Sequence, residues 1–198
     1  MSLFWIARNL IRFITVVFFR GSATGVEHIP KTGPLIVACN HISYFDPPMM
    51  GCFVPREIHY MAKKELFEIP VLGPGIRAVG AYPVDREGSA TAAIKRSVEE
   101  LRAGNCIGIF PEGGRNTDGD KEARAGVALL ASLGKCPVVP AAIVGTKGAR
   151  PFRPIKVAFG PPLRLPEGRK ATRDELEKFT ESVMSAIFAL AESIGGNS

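Results

Sequence analysis

The chain has 198 residues, of which 46% are hydrophobic, and its 25 Lys and Arg against 19 Asp and Glu give a formal net charge of +6. A chain of this length buries about 70% of the surface that its unfolded form exposes, so we expect one domain that needs no disulfide. The positive charge favours a polyanionic partner, but charge alone does not distinguish nucleic acid, an anionic membrane or a phosphorylated substrate.

The first twenty residues predict an aromatic-rich helix. Its apolar runs, 3–7 and 13–19, are separated by a segment containing Arg8, Asn9 and Arg12. A spanning helix needs about 20 mainly apolar residues, and a secretory signal ends in a small-residue cleavage site, so neither fits this segment. The aromatic and arginine content favours a helix that lies in a membrane interface. The alternative is a helix that merely packs on the domain.

A histidine and a carboxylate lie close together where the first buried strand is predicted to end. The apolar run 35–39 is typical of a buried strand, and Asp46 followed by Pro47 predicts a helix that starts there, with Asp46 near its N-cap. Open α/β sheets usually bind ligands at such strand ends. A turn could bring Asp46 onto the ring of His41, so that His41 accepts a proton from an attacking hydroxyl while Asp46 stabilises the imidazolium.

Simpler roles for these residues remain open at this point. Asp46 could only cap its helix, and His41 could be a structural, hydrogen-bonded residue. Cys39 lies close enough to His41 to be considered as a nucleophile, but its place in an apolar strand favours a core thiol.

The rest of the chain alternates strands with helices, which predicts one α/β domain. A loop or short edge strand is expected at 25–34. Further strands are predicted at 58–62, 82–86, 106–110, 137–144 and 155–159, and helices at 63–67, 89–102, 124–133 and from the capping box at 172–175 to about residue 194.

Three segments have features of ligand-binding loops. The glycine-rich segment 72–80 lacks both nucleotide-binding motifs, so nucleotide binding is not supported. The glycines of 111–115 follow a strand and allow close approach to a ligand, and Arg115 offers a guanidinium suited to phosphate; a solvated surface loop is the alternative. The cations of 147–156 surround Phe152, which fits either anionic lipid headgroups or an ordinary solvated loop.

The cysteines and histidines argue against disulfides and metal. Cys39, Cys52, Cys106 and Cys136 occur singly in apolar surroundings, which predicts reduced core thiols and a cytosolic setting. The three histidines lack metal-ligand spacing, so we expect no metal site.

Four segments together resemble the 1-acylglycerol-3-phosphate acyltransferases, the PlsC-like family of glycerolipid acyltransferases. The resemblance runs from residue 40 to about 141. One position departs from the pattern, since Gly114 stands where the family usually has Thr or Ser. The matching segments are Asn40-His41-x-x-x-x-Asp46; Lys64-Glu65-Leu66 with Pro70, Gly73, Gly80 and Arg86; Phe110-Pro111-Glu112-Gly113-Gly114-Arg115; and Val138-Val139-Pro140-Ala141.

The resemblance implies a glycerol-3-phosphate acyltransferase-like α/β fold, with a mixed, mostly parallel sheet flanked by helices. Residues 1–20 would be the membrane-interfacial helix and 21–198 the acyltransferase domain. It implies that His41 is the general base and that Asp46 holds it. Lys64, Arg86 and Arg115 would bind the acceptor phosphate, and Glu112 would bind the glycerol or set the local loop geometry. The other substrate-binding residues would be Asn40, Gly113 and Gly114.

The implied activity is transfer of a fatty acyl group from an acyl thioester to the free hydroxyl of 1-acyl-sn-glycerol 3-phosphate, giving phosphatidate. No cofactor is expected, because acyl-CoA or acyl-ACP is the co-substrate. We expect a peripheral or monotopic enzyme on the cytoplasmic face of the cell membrane, with an anionic membrane surface and acyl carrier protein as candidate partners and no nucleic acid. G-x-S-x-G is absent, which argues against a serine hydrolase. The alternatives are another lysolipid or glycerol 3-phosphate as acceptor, or a non-catalytic lipid- or membrane-binding protein.

Overall fold

A computed structural model of the chain describes residues 3–84, 90–114, 126–166, 169 and 171–195. Two short 3₁₀ helices occupy Val26–His28 and Lys64–Phe67. The α-helices in the described residues are α1 (Leu3–Phe18), α2 (Asp46–Gly51), α3 (Leu72–Ala78), α4 (Ala90–Arg102), α5 (Gly126–Gly134) and α6 (Arg173–Ser193). The strands are β1 (Ser22–Thr24), β2 (Leu35–Cys39), β3 (Ile58–Lys63), β4 (Ala81–Val84), β5 (Cys106–Ile109), β6 (Val138–Val144) and β7 (Lys156–Phe159).

The seven strands of the described residues form one sheet in the order β1-β7-β6-β2-β5-β3-β4. The strands from β6 to β4 run parallel, while β7 pairs antiparallel with β6, and β1 runs parallel to β7. This confirms the predicted mixed, mostly parallel α/β sheet. Of the strand predicted at 82–86, residues 82–84 lie in β4, and residues 85 and 86 lie outside the described residues.

Strand β2 lies in the middle of the sheet and is buried along its whole length. Leu35, Val37 and Cys39 belong to the apolar cluster that includes α2 and is covered by α1. Ile36 and Ala38 belong to the cluster on the other face, formed with α4, α5 and α6. Since helices cover both faces, the strand is apolar at every position instead of alternating. The first segment after β2 therefore emerges from the fully buried centre of the sheet.

Helix α1 contacts the domain through a side that carries apolar and polar residues, and its Phe4 and Ile11 pack against the core cluster. The Arg8 guanidinium donates from Nε to the Val54 carbonyl oxygen at 3.1 Å, and the Arg12 guanidinium lies 5.8 Å from the centre of the Phe53 ring. Thr15 is fully buried. The predicted helix is confirmed, and these polar contacts together with the packing of Phe4 and Ile11 hold it on the domain.

The opposite side of α1 presents apolar side chains to solvent. They recur every three or four residues, so they form one continuous stripe along the helix. No helix within the described ranges is long and apolar enough to cross a membrane. The stripe, called the α1 stripe below, consists of Leu3, Ile6, Leu10, Phe13 and Val17.

Helix α6 begins with the capping box that the sequence predicts. The Thr172 hydroxyl accepts from the backbone N–H of Glu175 at 3.3 Å, and the Glu175 carboxylate accepts from the backbone N–H of Thr172 at 2.8 Å. These two bonds satisfy backbone groups that the first turn of a helix otherwise leaves unpaired.

Candidate active site

The sheet brings three loops together at one edge. Because β2, β5 and β6 are adjacent and parallel, their carboxyl ends meet at the same edge. His41 follows β2, Glu112 follows β5 and Thr146 follows β6. Ligand sites of open α/β sheets lie at this edge, and here it holds the predicted histidine and carboxylate.

His41 and Asp46 form the pair that the sequence predicts. The distance from Nδ1 of His41 to Oδ2 of Asp46 is 2.9 Å. An ionised carboxylate only accepts hydrogen bonds, so Nδ1 carries the proton and Nε2 of the neutral ring carries a lone pair. The His41 side chain is 15% exposed and that of Asp46 is 0% exposed. The imidazole is thus within reach of a substrate, whereas the carboxylate behind it is not.

The Asp46 carboxylate also organises the turn that connects the two residues. Its Oδ2 accepts from the backbone N–H groups of Ile42 at 2.7 Å and Ser43 at 2.6 Å. Its Oδ1 accepts from the Thr146 hydroxyl at 2.5 Å. These bonds compensate the cost of burying a charge.

The capping role considered for Asp46 is wrong. Phe45 is the N-cap of α2 and Asp46 is its first residue, which places Pro47 one position later than predicted; the helix has no side-chain cap hydrogen bond. The carboxylate instead faces back toward the preceding turn, where the imidazole and two backbone N–H groups satisfy it.

The loop after β5 holds His41 from a second side. The Glu112 carboxylate, on a residue only 4% exposed, accepts from the backbone N–H of His41 at 2.8 Å. The Phe110 ring stacks on the imidazole, with ring centres 4.2 Å apart and planes 25° apart. Glu112 therefore fixes the main chain of His41 and Phe110 fixes its ring. Sequence reasoning named Glu112 for substrate or for loop geometry, and this contact is of the second kind.

The Asn40 side chain joins β2 to β6. Its amide nitrogen donates to the Ile143 carbonyl oxygen at 3.0 Å, and its amide oxygen accepts from the Ile143 N–H at 2.8 Å. Both groups of the amide are engaged by the protein, so Asn40 supports the turn from which His41 emerges. Substrate binding by Asn40 stays a prediction.

Of the other five predicted binding residues, three lie in the described part of the chain. Lys64 is exposed and follows β3, which lies two strands from β2, or about 10 Å across the sheet. Gly113 has φ of 68°, a conformation that favours glycine, and its N–H donates to the Phe110 carbonyl oxygen at 3.0 Å. Gly114 follows it, partly exposed. Arg86 and Arg115 lie outside the described residues.

Cys39 has the properties of a core thiol. It is fully buried, and burial raises its pKa well above the usual value, with the charges of Asp46 and Glu112 adding to the effect. The reactive form of cysteine is the thiolate, which this environment disfavours. All four cysteines are free and buried, in agreement with the sequence prediction.

Thr146 is the site residue that sequence reasoning missed. The only signal was its position, a small polar residue two positions after a buried strand, and nothing in the sequence connects it to Asp46. Within the described part of the chain, no three His, Cys, Asp or Glu side chains are grouped so that they could hold a metal ion.

Comparison with known proteins gives consistent similarities. The Acyltransferase family model matches residues 20–144. The chain is 33% identical over 173 residues to the 1-acyl-sn-glycerol-3-phosphate acyltransferase of Bacillus subtilis (strain 168), covering 85% of this chain and 86% of the relative. It is 28% identical over 189 residues to the enzyme of the same name from Streptococcus pneumoniae (strain ATCC BAA-255 / R6), covering 89% and 70%. The crystal structure of the 1-acyl-sn-glycerophosphate (LPA) acyltransferase PlsC from Thermotoga maritima superimposes with a TM-score of 0.71 at 25% identity, over 94% of this chain and 79% of the other.

Proposed function

Because the chain belongs to the acyltransferase family, we propose that it transfers a fatty acyl group from an acyl thioester to the free hydroxyl of 1-acyl-sn-glycerol 3-phosphate, giving phosphatidate for phospholipid synthesis. The names of the relatives from B. subtilis and S. pneumoniae support this acceptor. The observation that carries the proposal is the His41–Asp46 pair, 2.9 Å apart, with the imidazole at the ligand-binding edge of the sheet.

The mechanism that we propose is direct transfer, without an acyl-enzyme intermediate. Nε2 of His41 accepts the proton of the acceptor hydroxyl as its oxygen attacks the thioester carbonyl carbon. Asp46 stabilises the imidazolium that forms. When the tetrahedral intermediate collapses, the carbon–sulfur bond breaks and the imidazolium returns its proton to the leaving thiolate. The ester product and a free thiol result, the atoms balance, and no cofactor or protein nucleophile takes part.

Binding of the acceptor phosphate requires cationic side chains near the His41–Asp46 pair. We assign this role to Lys64, Arg86 and Arg115, as the family resemblance implies, with the glycines 113–114 allowing the backbone to approach the ligand. The exposed Lys64 at the carboxyl edge supports the assignment. Gly114 lacks the hydroxyl of the Thr or Ser that the family usually has at this position. We therefore infer that backbone and guanidinium contacts bind the phosphate. The thioester is acyl-CoA or acyl-ACP.

We further propose that the enzyme works at the cytoplasmic face of the cell membrane as a peripheral or monotopic protein. Two adjacent surfaces support this. The α1 stripe is apolar and exposed, and the 147–156 loop, whose Phe152 is 67% exposed among exposed cations, is tied to the end of α1 by a hydrogen bond from the Phe152 N–H to the Phe18 carbonyl oxygen at 2.5 Å. Together they combine apolar insertion with attraction to anionic headgroups.

The function is tested by thiol release from acyl-CoA with the purified protein, using lysophosphatidate, glycerol 3-phosphate or no acceptor. We expect release that requires lysophosphatidate and produces phosphatidate. Release with glycerol 3-phosphate but not with lysophosphatidate would identify glycerol 3-phosphate as the acceptor. Release without any acceptor would indicate a thioesterase. If acyl-CoA and acyl-ACP are both inactive as donors, the non-catalytic lipid-binding alternative replaces the proposal.

The α1 stripe gives a prediction about membrane binding. The double substitution Leu10→Glu/Phe13→Glu replaces two side chains that are 58% and 59% exposed and contribute little to the core. Burial of a large apolar side chain contributes about 1.5–3 kcal/mol, so flotation with phosphatidylethanolamine/phosphatidylglycerol vesicles should show partitioning lowered by at least about tenfold.

The matched control for this experiment is Phe188→Glu. Phe188 lies on α6 and is 47% exposed, but it is not part of the α1 stripe. Its substitution should leave vesicle binding unchanged. Equal losses in the two variants would indicate a general effect of charge, and unchanged binding of the double variant would place the membrane contact elsewhere.

A further inference from the structure

Thr146 contacts the His41–Asp46 pair, and this contact has no role in the transfer mechanism proposed above. Its hydroxyl lies 2.5 Å from Oδ1 of Asp46, and the two residues are 1% and 0% exposed. The other carboxylate oxygen, Oδ2, is occupied by His41, Ile42 and Ser43. We propose that Thr146 is a positioning residue, whose hydroxyl fixes the orientation of the Asp46 carboxylate and, through it, the direction of Nε2 of His41. This inference rests on the proposed function.

Charge determines the direction of this hydrogen bond. An ionised carboxylate has no proton to give, so the Thr146 hydroxyl is the donor. Hydrogen bonds to an ionised group are roughly twice as strong as neutral ones. The bond therefore constrains the carboxylate more than an ordinary hydroxyl contact would.

The hydrogen bond adds a restraint on the terminal torsion of the Asp46 side chain. This torsion is broad in a free aspartate, and all three donors on Oδ2 lie in the same short turn as Asp46 itself. Thr146 belongs to a different loop, after β6, and donates to Oδ1. It thus restrains the second carboxylate oxygen from outside the turn that holds the first.

The backbone around Thr146 is held in place. The Thr146 carbonyl oxygen accepts from the Ala149 N–H at 3.2 Å. The preceding Gly145 has φ of 88°, and a Cβ there would lie 2.3 Å from the Pro154 carbonyl oxygen. Only glycine fits such a close approach. The Thr146 hydroxyl is therefore carried by a turn whose backbone is hydrogen-bonded and closely packed.

Two matched pairs of variants isolate the hydroxyl. Thr146 and Thr146→Val differ by a hydroxyl exchanged for a methyl group, and Thr146→Ser and Thr146→Ala differ by the hydroxyl alone. We expect the valine and alanine variants to lose about 10- to 100-fold in kcat, with KM for lysophosphatidate and for acyl-CoA within about twofold, because a misaligned base slows proton transfer without removing a substrate contact. The serine variant should retain kcat within about threefold of the parent.

A second readout does not depend on activity. In protein with ¹⁵N-labelled histidine, NMR should show the His41 Nδ1–H tautomer in the parent and in Thr146→Ser, and a broadened or lost Nδ1–H signal in Thr146→Val and Thr146→Ala. If the parent has no transferase activity but this NMR pattern appears, the proposed function fails while the positioning role stands.

The proposal is overturned if Thr146→Val keeps both full kcat and the parent's Nδ1–H signal. It is equally overturned if Thr146→Ser loses as much kcat as Thr146→Ala, because the loss would then come from the missing methyl group and not from the hydroxyl. A change in KM alone would also overturn it. Thermal unfolding of each variant identifies those that fail to fold. If the valine variant is among them, the serine and alanine pair decides.

Discussion

An alanine at position 41 is expected to lower kcat by about 10²- to 10⁴-fold, the usual contribution of a positioned general base. The substitution removes Nε2, which accepts the hydroxyl proton, but leaves the backbone N–H of His41 that Glu112 binds. KM for lysophosphatidate should change little, because the proposed phosphate cations are untouched. Steady-state thiol release and thermal unfolding would check both expectations.

The chain offers a matched control in a second histidine–carboxylate pair. His59 Nδ1 lies 2.8 Å from Oε2 of Glu100. Burial alone would raise the pKa of Glu100, but hydrogen bonds from Asn105 and His59 lower it below the usual value. His59 is level with Ile107 in mid-sheet, away from the edge that holds His41. His59→Ala should therefore retain kcat; if His41→Ala is as active as this control, His41 is not the base.

Asparagine at position 46 is expected to lower kcat by about 10²- to 10³-fold with the fold retained. The amide oxygen can accept the bonds now made to Oδ2, including that from His41, and the amide nitrogen can donate to the Thr146 hydroxyl, which then acts as acceptor. Only the negative charge is lost. At an effective dielectric constant of about 20, two charges about 4 Å apart interact by about 4 kcal/mol. This interaction with the imidazolium is lost in Asp46→Asn and sets the upper limit of the expected loss in kcat.

The contrast with Asp46→Ala separates charge from structure. Alanine leaves the N–H groups of Ile42 and Ser43 and the Thr146 hydroxyl without the carboxylate acceptor they now share. We expect its free energy of unfolding to fall by about 3 kcal/mol or more, measured by urea denaturation, while that of Asp46→Asn changes less. If Asp46→Asn has the parent's kcat, another group stabilises the imidazolium.

The parts of the site that are local in sequence could be predicted. The strand before His41 is a continuous apolar run, and Asp46 precedes two prolines that start a helix. These signals all lie within residues 35–48, so local chemistry determines the turn and brings the imidazole to the carboxylate. The capping box of α6 was predictable for the same reason.

The contacts that cross the sheet could not be predicted. Glu112 and Thr146 reach the turn only because β5 and β6 flank β2, and the alternation of strands and helices does not determine that order. Amphipathicity of α1 was evident, but the face that contacts the domain was not. On that face Arg8 and Arg12 contact the Val54 carbonyl oxygen and the Phe53 ring, beside Phe4 and Ile11, which pack on the core.

The pairing of β1 with β7 has a consequence for synthesis of the chain on the ribosome. Ser22 pairs with Lys156, and Phe18 and Phe19 accept hydrogen bonds from the N–H groups of Phe152 and Ile155. A ribosome adds about 5–20 residues per second, so α1 emerges several seconds or more before the strand that fixes its end. During that interval the α1 stripe is available while the sheet is incomplete. If the stripe binds lipid as proposed, the nascent chain can reach the bilayer before it becomes an enzyme.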